Sequence, residues 1–216
     1  MPEYRTEPLV VPAISGLLPE GERNRRVALT SFSAGTSRVQ VPTRDVVCYE
    51  CGRRSHVPAA ALSAQCIHCH AHLNMADVEL RAGSRRLTVR TLGDVTVSAD
   101  AVLSHLSVVC RNLTLHGRAS GSFRCMGTLR VGASCRVEGS VQAEALEVEK
   151  GVDVVFVQGA RVGSASLRGC VSGRLDCRGK VRIHRGGVLY GDCAASAVEL
   201  EPGAVHRGRR EASAAS

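Results

Sequence analysis

The sequence has no tryptophan, and aromatic residues make up only 3% of it. A β-sandwich usually fills the space between its sheets with a few large rings, so this composition speaks against an ordinary sandwich core. No run approaches the roughly 18 apolar residues that a transmembrane helix needs, and the N-terminus lacks the basic region and long apolar core of a secretory signal. A cytoplasmic location is therefore expected, with membrane association left to a short terminal segment at most. There is no G-x-x-x-x-G-K-[ST] loop, the usual phosphate cradle of nucleotide-driven machines. The net charge of +8 is spread along the chain without a dense basic cluster, which makes nucleic acid a weak candidate partner.

Glycine and short apolar alternations are abundant instead. From residue 95 onward, apolar residues recur in pairs with one residue between them: Val95/Val97, Leu113/Leu115, Leu129/Val131, Leu146/Val148, Ala165/Leu167, Val181/Ile183 and Val198/Leu200. Successive pairs lie 18, 16, 17, 19, 16 and 17 residues apart, and a glycine follows each of the last six within three positions. Such a pair has the period of a strand, whose successive side chains point to opposite faces. A repeat of about 17 residues accommodates roughly three strands of about four residues with tight corners, and no helix of ordinary length. The pattern predicts an all-β, three-sided parallel β-helix over 77–208. Each coil would rise about 4.8 Å above the last, and Val, Leu, Ile, Ala and Cys would fill the narrow bore. Val78-Glu-Leu80 and Leu87-Thr-Val89 predict one irregular turn before the first clear coil.

Two stretches, LRVGASCRVEGSVQA from Leu129 to Ala143 and VELEPGAVHRG from Val198 to Gly208, resemble the bactofilins, bacterial polymer-forming cytoskeletal proteins. Both show an apolar pair, a Gly-Ala corner and a second strand leading to glycine, and the resemblance covers residues 90 to 208. It implies a right-handed winding and a structural, non-enzymatic subunit that joins end to end into filaments without a nucleotide. Some members of that family are thought to touch membranes through a short N-terminal segment. Here the apolar run from Leu9 to Leu18 is interrupted by Pro12 and Gly16 and flanked by Glu3, Glu7, Glu20 and Glu22, which would oppose anionic lipid. With five of the seven prolines, residues 1–44 read as a solvated or partner-binding disordered tail, and 209–216 as a short C-terminal tail.

Four of the ten cysteines form two knuckles, Cys48-x2-Cys51 and Cys66-x2-Cys69, with fourteen residues between them. Each knuckle can place two thiolates on one side of a tight turn, and two turns complete a tetrahedron, so 45–76 is expected to be a zinc ribbon. His56, His68, His70 and His72 lie nearby, and His68 or His70 could replace a cysteine, although all four thiols already have the required spacing. Four thiolates leave zinc no open position, which makes the metal structural rather than catalytic. Members of the resembled family typically lack such a ribbon. Its expected role is to regulate assembly, to bind a protein partner, or to cap the N-terminal end of the solenoid. An adaptor that binds nucleic acid or protein through the ribbon, with the solenoid as a rigid scaffold, is the alternative.

Cys110, Cys125, Cys135, Cys170, Cys177 and Cys193 have no such pairing and are expected to be small buried hydrophobes. His105, His116, His184 and His206 match no carboxylate or nucleophile at a repeated position. No small-molecule substrate is expected. Hexapeptide acyltransferases need a stricter six-residue period, and polysaccharide lyases need clustered carboxylates and longer coils. The end coils expose unpaired backbone groups, and the regular last coil, with no capping helix, is expected to be the stickier end.

Overall fold

The seven apolar pairs fall into one column. In the computed structural model, which describes residues 42–212, each pair lies in parallel register with the next from Val95/Val97 up to Val198/Leu200. Val78 and Leu80 add an eighth level below them, in register with Val95 and Val97. This column forms face I of a parallel solenoid of about eight turns. The predicted tail falls outside the described residues except for 42–44, as do residues 213–216.

Each coil contributes two further faces. On face II the interior positions run Val108, Phe123, Val141, Ala160, Leu175 and Cys193, and beside them Cys110, Cys125, Ala143, Val162, Cys177 and Ala195. On face III, Val154, Val171 and Leu189 stack in register. Four long strands, Val102–Cys110, Arg118–Cys125, Val141–Val148 and Ala160–Leu167, bend round a corner and serve two faces each. The turn expected to be irregular is the first one: residues 81–87 replace a face III strand before Thr88–Arg90 opens face II.

The bore is dry and apolar. In the six pairs from Val95/Val97 to Val181/Ile183 no residue is more than 5% exposed. Burying one such aliphatic side chain contributes about 1.5–3 kcal/mol, so the columns are the main source of stability. Polar groups at the corner before face I are paired between coils: Asp77 accepts from the Asp94 N–H, Asp94 from the Asn112 amide, and Asn112 from the Thr128 N–H. At the corner after face III, Gly191 has a φ of +129°, and a Cβ there would lie 2.3 Å from the carbonyl oxygen of Gly173 in the coil below. Only glycine fits so close an approach.

The last coil differs from those beneath it. Val198 is half-buried and Leu200 is 37% exposed, because no coil follows. On the other faces the interior positions above Leu189 and Cys193 are taken by His206 and Arg210. Arg210 donates to Nδ1 of His206, whose Nε2–H then donates to the Gly191 carbonyl oxygen. The final strand, Arg210–Ala212, is paired on one side with Cys193–Ala195.

Candidate metal centre

The region before the solenoid folds as two small antiparallel hairpins. In the first, β1 (Thr43–Val47) pairs with β2 (Arg54–Pro58); in the second, β3 (Ser63–Gln65) pairs with β4 (His72–Asn74). Each hairpin turns through one knuckle, and the two turns repeat the same hydrogen bonds. Cys48 N–H donates to Arg53 and Gly52 N–H to Cys48, as Cys66 N–H donates to Ala71 and His70 N–H to Cys66. The fifth residue of each turn has a positive φ, +70° for Gly52 and +59° for His70. Glycine takes this conformation freely, whereas histidine adopts it at a cost of about 1 kcal/mol.

The two turns bring Cys48, Cys51, Cys66 and Cys69 together, with their sulfur atoms within 4.8 Å of one another. Across the knuckles, Cys48 and Cys69 are 3.7 Å apart and Cys51 and Cys66 are 3.8 Å apart. Thiolates around a tetrahedral zinc ion, with metal–sulfur bonds of about 2.3 Å, are separated by about 3.8 Å. Backbone N–H groups of Cys69 and His68 hold the Cys66 thiol down to about 6. The Ala71 N–H favours the Cys69 thiolate, but desolvation and the three neighbouring thiols outweigh it and push Cys69 up to about 12. Four thiols this close cannot all ionise unless a cation lies among them, so the cluster could hold a metal ion.

The histidines fall outside this group. His68 Nε2 lies 3.1 Å from the Arg54 carbonyl oxygen, the His70 carbonyl accepts from Gln65, and His56 pairs with Asp45.

The pair of hairpins, the expected ribbon, is attached beside the bore rather than across its end. Its core of Cys48, Val57, Cys66, Leu73 and Met75 includes Leu92, with Met126 packed against it; both come from the solenoid corner between faces II and I. Leu92 N–H donates to Asn74, and Arg90 reaches Glu50 at 2.5 Å while its guanidinium lies over the Tyr49 ring. Leu80 and Val89, which begin the bore, belong to a separate core. The expected N-terminal cap is therefore a lateral bracket. Among the described residues, Val78–Leu80 and Thr88–Arg90 each pair with one neighbouring strand only.

The remaining cysteines follow the expectation in part. Cys110, Cys125, Cys177 and Cys193 are buried, while Cys135 and Cys170 are half-buried, Cys170 on the outside of face III. The Cys125 thiol 3.9 Å away, together with burial, pushes Cys110 well above the ordinary thiol range, so it stays protonated and inert. His184 departs from the expectation. It lies between Ser166 and Glu201 of neighbouring coils, a grouping visible in the sequence only once the register is known.

No curated protein and no solved structure matches the chain. Residues 76–157, which follow the two hairpins, match the family model for bactofilin, described as polymer-forming cytoskeletal. These residues open the parallel solenoid, and over them the chain is similar to the bactofilin family.

Proposed function

We propose that this protein is a structural subunit that self-associates end to end into filaments without a nucleotide, and that its four knuckle cysteines hold a structural zinc ion. One observation carries the assembly reading. The strands of the last coil, Ala197–Leu200, Val205–Arg207 and Arg210–Ala212, each pair on one side only, and Val198 and Leu200 continue the interior column into solvent. A coil from a second subunit would extend both the backbone ladder and the apolar column. At the other end, the lateral position of the ribbon leaves the first strands with free edges among the described residues, which favours long polymers over dimers.

Zinc suits a closed set of four thiolates, and the ribbon, with few apolar residues of its own, depends on it for its fold. The bracket formed by Leu92, Met126 and Arg90 fixes the ribbon to the solenoid, so it can regulate assembly or recruit a protein without occupying an end coil. No described helix is long and apolar enough to cross a membrane, and the cytoplasm remains the proposed location.

The test is pelleting and negative-stain electron microscopy of the zinc-loaded chain across concentration and salt. Filaments or sheets are expected. Uniform small particles under every condition would overturn the reading and leave the ribbon adaptor in its place.

A further inference from the structure

Ser166, His184 and Glu201 come from three successive coils, 18 and 17 residues apart; the strand register pairs Ser166 with Arg182, and His184 lies two positions further along, at the end of face I. Glu201 Oε1 is 2.8 Å from His184 Nδ1, and Ser166 Oγ is 2.9 Å from His184 Nε2. The Arg185 N–H and then His184 hold the Glu201 carboxyl below its ordinary range, so at neutral pH it is ionised and can only accept hydrogen bonds. In the neutral imidazole, the nitrogen facing Glu201, Nδ1, therefore carries the proton. Nε2 is then the acceptor, and the Ser166 hydroxyl donates to it. This is the order of a nucleophile, a general base and the group that orients the base. The His184 side chain is only 20% exposed, which limits its alternatives to this position.

The surroundings select a substrate. Ser166 and Arg168 both line two clefts, one of about 610 Å³ shared with Arg130, Glu147, Glu149 and Lys150, and one of about 380 Å³ shared with Lys180, Arg182 and Glu199. Arg130 is paired with Glu147, and Lys180 and Arg182 with Glu199. Arg168 and Lys150 form no ion pair among the described residues, and Arg168 is two residues from Ser166 on the same side of its strand. The backbone offers no oxyanion donor at this point, because the Arg168 N–H is committed to Val148. Negative charge developing on a carbonyl oxygen would therefore fall to the Arg168 guanidinium.

We propose that Ser166, His184 and Glu201 form an esterase site for small esters that carry a negative charge. Ser166 Oγ attacks the ester carbonyl carbon as its proton passes to His184 Nε2. The carbon–oxygen bond to the alcohol then breaks, and the alcohol leaves with that proton. Water, deprotonated by the same nitrogen, cleaves the acyl-serine and releases the acid and free Ser166. Glu201 holds the ring and its Nδ1 proton throughout, Arg168 faces the carbonyl oxygen, and Lys150 binds the anionic group.

The experiment uses the full zinc-loaded chain with a fluorophosphonate probe, with neutral 4-nitrophenyl acetate and with anionic mono-4-nitrophenyl succinate. We expect one probe adduct, mapped to Ser166 by peptide mass spectrometry and absent in Ser166→Ala. Labelling should slow on the order of 100-fold or more in His184→Gln and about tenfold or more in Glu201→Gln. The preference for the succinate ester should disappear in Lys150→Ala, whereas Arg168→Ala should slow both esters alike. A wild-type chain with an intact melting transition and no adduct at Ser166 would overturn the proposal. So would labelling at wild-type rate in Glu201→Gln and His184→Gln, because the three residues would then serve only as a hydrogen-bond chain that fastens the last coils.

Discussion

Replacing Leu200 by aspartate should abolish filaments while leaving the subunit folded. Leu200 ends the face I column and is 37% exposed in the free subunit. Full burial of a leucine is worth about 1.5–3 kcal/mol, so covering the remaining third contributes about 0.5–1 kcal/mol to each end contact. An aspartate at that place would have to lose its water without a partner, and an uncompensated buried charge costs about 3–5 kcal/mol. The two together come to about 3.5–6 kcal/mol, so the concentration needed for assembly should rise by a factor of roughly 300 to 20,000. Folding loses less, about 1–2 kcal/mol for the part of Leu200 that is already covered. Pelleting over a dilution series gives the threshold, and thermal unfolding of the soluble fraction shows that the solenoid persists. If Leu200→Asp pellets at the wild-type threshold, the last coil is not the contact.

Four further outcomes follow from the same structure. The double change Cys48→Ser and Cys51→Ser should abolish bound zinc, measured by elemental analysis, while the main solenoid transition persists, since the two cores are separate; a full retained equivalent would show that the ligands lie elsewhere. Leu146→Ala, at a position with no exposure, should cost about 2–5 kcal/mol in urea unfolding, and less than 1 kcal/mol would mean that the bore is loosely packed. Gly191→Ala should prevent the last coils from closing, because its Cβ would meet the Gly173 carbonyl oxygen at 2.3 Å; exchange protection of residues 193–212 should fall selectively. Lys180 and Arg182 hold Glu199 below its ordinary value of 4.5, so its contribution to stability is complete above that pH and is lost as pH falls through the lower folded value. Glu199→Gln should accordingly flatten melting temperature against pH below about 4.5, and an unchanged slope there would refute the pairing.

The legibility of the fold differs from face to face. Face I was readable because each of its pairs uses Val, Leu, Ile or Ala with a polar residue between. Faces II and III fill their interior positions with Cys, Ala and Phe as well, and Ala160 or Cys193 alone carries no strand signal. The cysteines between the repeats were read as small buried hydrophobes, and stacking explains the buried ones. Cys110 and Cys125 are neighbours in one column although the sequence separates them by fifteen residues. The knuckles were visible because the two C-x2-C spacings are local in sequence. The ribbon's attachment was not, because Leu92 and Met126 are single apolar residues at corners and their partners lie far away in sequence. For the same reason, Ser166, His184 and Glu201 became a group only when the stacking of three coils brought their side chains together.

In the proposed filament, the laterally bracketed ribbon would also act as a spacer mark. Eight coils at about 4.8 Å each make a rod of roughly 40 Å, and Leu92 and Met126 anchor one ribbon on one corner of each rod. In a filament of subunits stacked in a single direction, ribbons would recur along the axis at that interval, like marks on a ruler. A protein bound to the ribbons would then be spaced by the number of coils in the chain. Adding or removing one coil of about 17 residues would shift that spacing by about 5 Å without disturbing any column.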